Sequence, residues 1–118
     1  MKDSIVRGKS FQFSLKIIVL YKNLLSENEY IISKQLLRCG TSIGANIEEA
    51  LAGQSKKDFT SKMSISSKEA RETKYWLRLL KESDLTNIDV GFLLNDIEEI
   101  IKMLTAIVKT SQQNLAKN

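Results

Sequence analysis

Within 118 residues the chain has no histidine, no proline and a single cysteine, Cys39, while 18 lysines and arginines against 14 aspartates and glutamates leave a net charge of +4. The missing histidines exclude histidine acid–base and triad chemistry, and with one cysteine there is no ligand set for a usual zinc site and no internal disulfide. Hydrophobic residues at 42% and charged residues at 27% fit one globular domain over residues 1–118, basic enough to permit nucleic acid or another anionic surface as partner.

The absence of proline and the scarcity of glycine let long helices run uninterrupted, and four of them account for nearly all of the sequence. The first is expected to start after Ser10, a good N-cap residue, and to reach about Leu25. Its apolar residues, Phe11, Phe13, Leu15, Ile17, Ile18, Val19, Leu20, Tyr21, Leu24 and Leu25, spread almost all the way round. A helix in a monomeric bundle needs one apolar stripe only, so the excess predicts a second buried contact, with another subunit. This stretch is too short to cross a bilayer and carries Lys16 and Lys22. With no signal peptide visible, the expected location is the cytoplasm, without a membrane partner.

The second helix is expected from Glu29 or Ile31 to Ala52, with Gly53 as its C′ residue. Leu36, Cys39, Ile43, Ile47 and Ala50 recur at helical spacing and define its core face. A neighbouring face carries Ser42, Ala45, Asn46, Glu49 and Gly53. Gly44 inside this helix costs about 1 kcal/mol against alanine, which suggests close packing against a neighbour and suits an assembly surface.

The third helix opens at Ser55, an N-cap residue followed by Asp58 at the positive helix end, and runs to about Glu82. Phe59, Ile65, Trp76, Leu77 and Leu80 form its expected core seam, with Lys62, Ser66, Glu69 and Thr73 along the same side. Buried charges need partners, for which Asn46 and Glu49 are the candidates. The other reading places Lys62 and Glu69 at the boundary, with their charges in water. On the opposite face Arg71, Lys74, Arg78 and Lys81 alternate three and four residues apart and present a row of cations, fringed only by Glu72 and Glu82. Such a row either tracks phosphates or is a solvated bundle face. Tyr75 lies beside it as a candidate stacking residue, whereas Trp76 and Cys39 read as core.

The fourth helix is expected to be capped by Thr86 or Asn87. Leu93, Leu94, Ile97, Ile100, Ile101, Leu104, Ile107 and Val108 give it a regular stripe that fades after Gln112. Three short connections predict an all-α, antiparallel up-down-up-down four-helix bundle. Glu48, Glu49, Glu69 and Glu72 invite comparison with carboxylate di-metal bundles, but those use Glu-x-x-His motifs. No metal, cofactor or catalytic group is expected.

The series Thr41-Ser-Ile-Gly-Ala-Asn-Ile-Glu-Glu-Ala50, Lys57-Asp-Phe59, Lys68-Glu-Ala-Arg-Glu-Thr73 and Tyr75-Trp-Leu-Arg-Leu-Leu80 resembles the small four-helix-bundle family whose genes lie in intervening sequences of bacterial 23S ribosomal RNA, formerly labelled S23 ribosomal proteins. That family is similar to the accessory protein of diversity-generating retroelements, a homopentameric barrel with a basic surface that associates with nucleic acid and a reverse transcriptase. The resemblance implies a bundle, a homo-oligomer of five subunits and association with structured RNA. The function expected from it is a non-enzymatic RNA-associated protein with little base specificity. The alternative is a protein–protein adaptor or assembly factor, for a polymerase for example, whose basic face docks an acidic surface.

Overall fold

The structure, a computed structural model, describes residues 2–117. Four helices follow one another as α1 (Lys2–Ser26), α2 (Ile32–Leu51), α3 (Lys56–Ser83) and α4 (Gly91–Ala116). Each packs on its neighbours in chain order, and α4 returns to α1 without diagonal contacts, so the bundle is square in section. The cross-helix pairs run in opposite directions along each seam. Arg7 meets Glu48 where α1 faces α2, and Lys9 and Lys16 meet Glu99 and Asp96 where α1 faces α4. This is the up-down-up-down arrangement, drawn out to 51 × 22 × 22 Å.

The core takes one stripe from each helix. Val6, Phe13, Ile17, Leu20 and Leu24 come from α1, and Leu36, Ile43 and Ile47 from α2. Met63, Ala70, Leu77 and Leu80 of α3 meet Leu93, Ile97, Ile100 and Leu104 of α4. Buried hydroxyls are satisfied by carbonyls. Ser66 donates across the seam to the Ile43 carbonyl at 2.8 Å, and Thr73 donates to Glu69 one turn back at 2.8 Å.

Three boundaries or facings differ from the sequence expectation. Ser10 is no cap: α1 begins eight residues earlier, and the buried Ser10 hydroxyl donates to the Arg7 carbonyl at 3.0 Å inside the helix. Thr86 and Asn87 do not cap α4. Val90 holds that position without a side-chain bond, while Thr86 accepts from the Ile88 amide at 3.1 Å in the preceding loop. Ile65 lies outside the α3 seam, at 39% exposure, because small residues, Ser66, Ala70 and Thr73, fill the side that faces α2 and α4. Gly53 takes the expected C′ position after the Ala52 cap, though without a positive φ; a Cβ there would lie 2.4 Å from the carboxylate end of Asp58, which would have to turn aside.

Other stops and starts follow local chemistry. Ser55 accepts from the Asp58 amide at 3.0 Å and caps α3. Helix α1 ends in a Schellman arrangement: Asn28, at φ 63°, donates to the Leu25 carbonyl at 2.9 Å, and Glu29 to Leu24 at 2.9 Å.

Candidate nucleic-acid interface

Helix α3 carries the basic row on its outer side, where successive turns bring residues three and four apart into line. Arg71, Arg78 and Lys81 are exposed and Lys74 is half-buried. The row is less open than the spacing suggests. Lys74 pairs with Glu98 of α4, and Arg78 pairs with Glu82 at 3.1 Å. Arg71 donates to the neutral Thr105 hydroxyl of α4 at 3.1 Å and so keeps its charge unmatched. Lys81 has no acid or hydrogen-bond partner among the described residues. The row is therefore matched in part: α4 supplies Glu98, which the sequence of α3 does not show, and Glu82, expected at the fringe, closes an i,i+4 pair with Arg78.

Glu98 senses several cations at once. Its bond to Lys74 holds the carboxyl below the ordinary value, with further attraction from Lys74, Lys102 and Arg71 and with burial opposing. The Tyr75 ring is exposed beside the row. It meets Trp76 edge-on, with ring centroids 5.3 Å apart at 73°. Trp76 is partly buried against the core and donates from Nε1 to Glu72 at 3.0 Å.

The polar seam between α2 and α3 follows the sequence expectation at Lys62 and departs from it at Glu69 and Asn46. Lys62 reaches Glu49 at 2.9 Å, which raises the lysine pKa, first through the hydrogen bond and then through charge. Glu69 meets neither Asn46 nor Glu49. Its partner is Arg38 at 3.3 Å, which also binds Glu72 and, at 3.3 Å, Gln35. Asn46 turns back to its own helix and donates to the Ser42 carbonyl at 2.8 Å. The side chains of Lys62 and Glu69 are 32% and 20% exposed; both sit at the boundary, and both are paired. Sequence reasoning missed Arg38 and Glu98. Each lies on a helix other than the one whose charges it meets, so no single helix's periodicity reveals it.

Cys39 is fully buried, and desolvation pushes its thiol pKa up, the reverse of what a reactive cysteine needs. Among the described residues no group of three acidic, cysteine or histidine side chains is placed to hold a metal ion, and no helix is long and apolar enough to cross a membrane.

The model of the 23S rRNA-intervening sequence protein family matches residues 2–106 of this sequence. Among solved structures, a protein of unknown function from the S23 ribosomal protein family of Bacteroides thetaiotaomicron is 48% identical. The match covers 92% of this chain and 99% of that one, with a TM-score of 0.87. No curated protein matches.

Proposed function

Since this chain belongs to the 23S rRNA-intervening sequence protein family, we propose that it is a non-enzymatic, self-associating cytoplasmic protein that binds structured RNA through phosphates, with little preference for base sequence. The observation that carries this reading is the outer side of α3, where exposed Arg71 and Lys81 form no ion pair among the described residues and Arg78 stands between them. Guanidinium and ammonium groups on a rigid helix suit phosphate oxygens. They carry no base information, so affinity should follow RNA shape. Self-association is supported by α1, whose outer side leaves Phe11, Leu15, Ile18 and Val19 exposed. Five copies is the number the family resemblance implies.

Titration of a fluorescent RNA hairpin and of a same-shaped hairpin of altered sequence tests the reading. The two should bind alike, and log affinity should fall with log salt by about 0.7–0.9 per phosphate contact. Changing Arg71→Gln and Arg78→Gln together should flatten that slope and leave helicity intact, because both side chains are exposed. If the parent protein failed to bind RNA at low salt, the adaptor alternative, with an acidic protein surface such as that of a polymerase, would take its place.

A further inference from the structure

Three of the four helix seams are electrically matched at the surface. Arg7 meets Glu48 between α1 and α2; Arg38 and Lys62 meet Glu69, Glu72 and Glu49 between α2 and α3; Lys9 and Lys16 meet Glu99 and Asp96 between α1 and α4. The seam between α3 and α4 is not. Its one cross-helix ion pair among the described residues is Lys74 with Glu98, and around it stand Arg71, hydrogen-bonded only to a neutral hydroxyl, and Lys102, both attracted to the same carboxylate without pairing with it.

The register between the helices shows which further cations join them. Lys74 fixes Glu98, and Arg71 fixes Thr105, on the α3-facing side of α4. Lys102 and Lys109 follow Glu98 and Thr105 by four residues each, so Glu98, Lys102, Thr105 and Lys109 share one side of α4. Both lysines are exposed, and neither has a hydrogen bond or ion pair among the described residues. They stand about 10.5 Å apart along the axis, two turns at 1.5 Å per residue. On α3, exposed and unpaired Lys68 lies one turn from Arg71.

We infer that the phosphate-binding surface is a trough across the α3–α4 seam, in which Lys102 and Lys109 act with Lys68 and Arg71, and that Glu98 is an internal counter-ion which RNA phosphate displaces from Lys74. This rests on the RNA reading above and relocates its centre: the unmatched charge of Lys68 and Arg71 at the middle of α3 continues across to Lys102 and Lys109 of α4, whereas farther along α3 Arg78 already has Glu82 and Lys81 stands apart. A phosphate entering the trough meets Arg71 and Lys102 directly. Its charge competes with Glu98 for Lys74, so the carboxylate weakens binding by occupying a cation and by repelling the ligand.

The test uses the full chain and an RNA hairpin in salt titrations. The Lys102→Gln/Lys109→Gln variant should bind more weakly, with a slope flatter by about 0.7–0.9 for each phosphate it no longer neutralises. A control of equal charge change elsewhere, Lys22→Gln/Lys34→Gln, should stay near the parent. Glu98→Gln should bind several-fold more tightly, whereas Glu99→Gln, of the same charge change at the α1–α4 seam, should not. Circular dichroism confirms that each variant is folded. If Lys102→Gln/Lys109→Gln behaves like its control, or Glu98→Gln like Glu99→Gln, the trough is overturned while RNA binding through α3 stands. If the parent does not bind the hairpin at all, both fall together.

Discussion

Glu29 shows how much one side chain does at a chain reversal. Asn28 takes the left-handed conformation that ends α1, at a position where asparagine is among the better-tolerated non-glycine residues. The next residue then serves the following helix: Glu29 accepts from the amides of Ile31 and Ile32 at 3.1 Å each and from that of Ser33 at 2.6 Å. Its negative charge also complements the positive end of α2. Burial pushes the carboxyl pKa up, but the bonds from Ser33, Ile32 and Ile31 together outweigh it and hold the pKa below the ordinary value. A carboxylate with a depressed folded-state pKa contributes stability above its unfolded-state value near 4.5 and loses it as pH falls through the lower folded value. Glu29→Gln should therefore cost about 1 kcal/mol at pH 7 and have a shrinking effect below pH 4.5, measured by urea unfolding across that range. An undiminished difference in acid would remove the charge from the explanation. Single residues were unevenly legible. Ser55 reads as a cap and is one, whereas Ser10 has the same chemistry and lies inside α1. Serine caps a helix or bonds back one turn according to where the helix begins, and its side chain alone does not say which.

At the scale of the element, α4 was legible because large aliphatic residues mark its buried stripe without interruption, and α2 because Leu36, Ile43 and Ile47 recur among the smaller Cys39, Gly40 and Ala50. Helix α3 was legible in its bounds and in Leu77 and Leu80 but not in all of its seam, and the reason is physical. Its buried side mixes Met63, Leu77 and Leu80 with small and hydroxylated residues whose polarity is satisfied by carbonyls, as Ser66 is by Ile43, so hydropathy places the seam partly on Ile65. The same gap between pattern and packing concerns the glycines of α2. Gly44 reads as the close-packed one, but a Cβ there would meet the Ser10 hydroxyl at an ordinary 3.4 Å. Gly40 is the crowded position: its Cβ would stand 3.0 Å from both Cγ atoms of Ile17, a fully buried side chain stiffened by β-branching. Alanine at either site gains about 1 kcal/mol of helix propensity, and overpacking costs about 1–3 kcal/mol. Gly44→Ala should raise the melting temperature. Gly40→Ala should lower it, and adding Ile17→Val should not restore it, because valine keeps both Cγ atoms that crowd the new Cβ. Thermal unfolding of the three variants at one protein concentration decides this, and equal gains at both glycines would mean that α1 and α2 separate without cost.

At the scale of the whole molecule, the square bundle buries one stripe of α1 and leaves another apolar side outward. Phe11, Leu15 and Ile18, at spacings of four and three, form a ridge with Val19 beside it, and Phe11 and Val19 are 60% and 58% exposed. The excess of apolar residues in this helix was legible in the sequence; the share that a lone chain leaves uncovered required the fold. The small-residue face of α2 contributes less to a surface between copies than its composition suggests, since Gly44 faces Ser10 and Ser14 of its own chain, Ser42 and Asn46 are half-buried, and Ala45 is left exposed with Glu49 and Gly53. Copies that each carry +4 repel one another, so any assembly must draw its stability from apolar contact. This gives self-association and RNA binding opposite responses to salt. Screening weakens repulsion between copies, whereas phosphate binding loses affinity as counterion release becomes less favourable. The protein should therefore have a mass that is a multiple of 13.4 kDa in light scattering at micromolar concentration, unchanged or larger as salt rises. The Phe11→Lys/Leu15→Lys variant should return it to 13.4 kDa with its helicity retained, because neither side chain belongs to the core of the single chain. A monomeric parent would remove self-association. A variant that keeps the parent's mass would move the contact off α1, with Ala45 and its neighbours on α2 the next surface to alter.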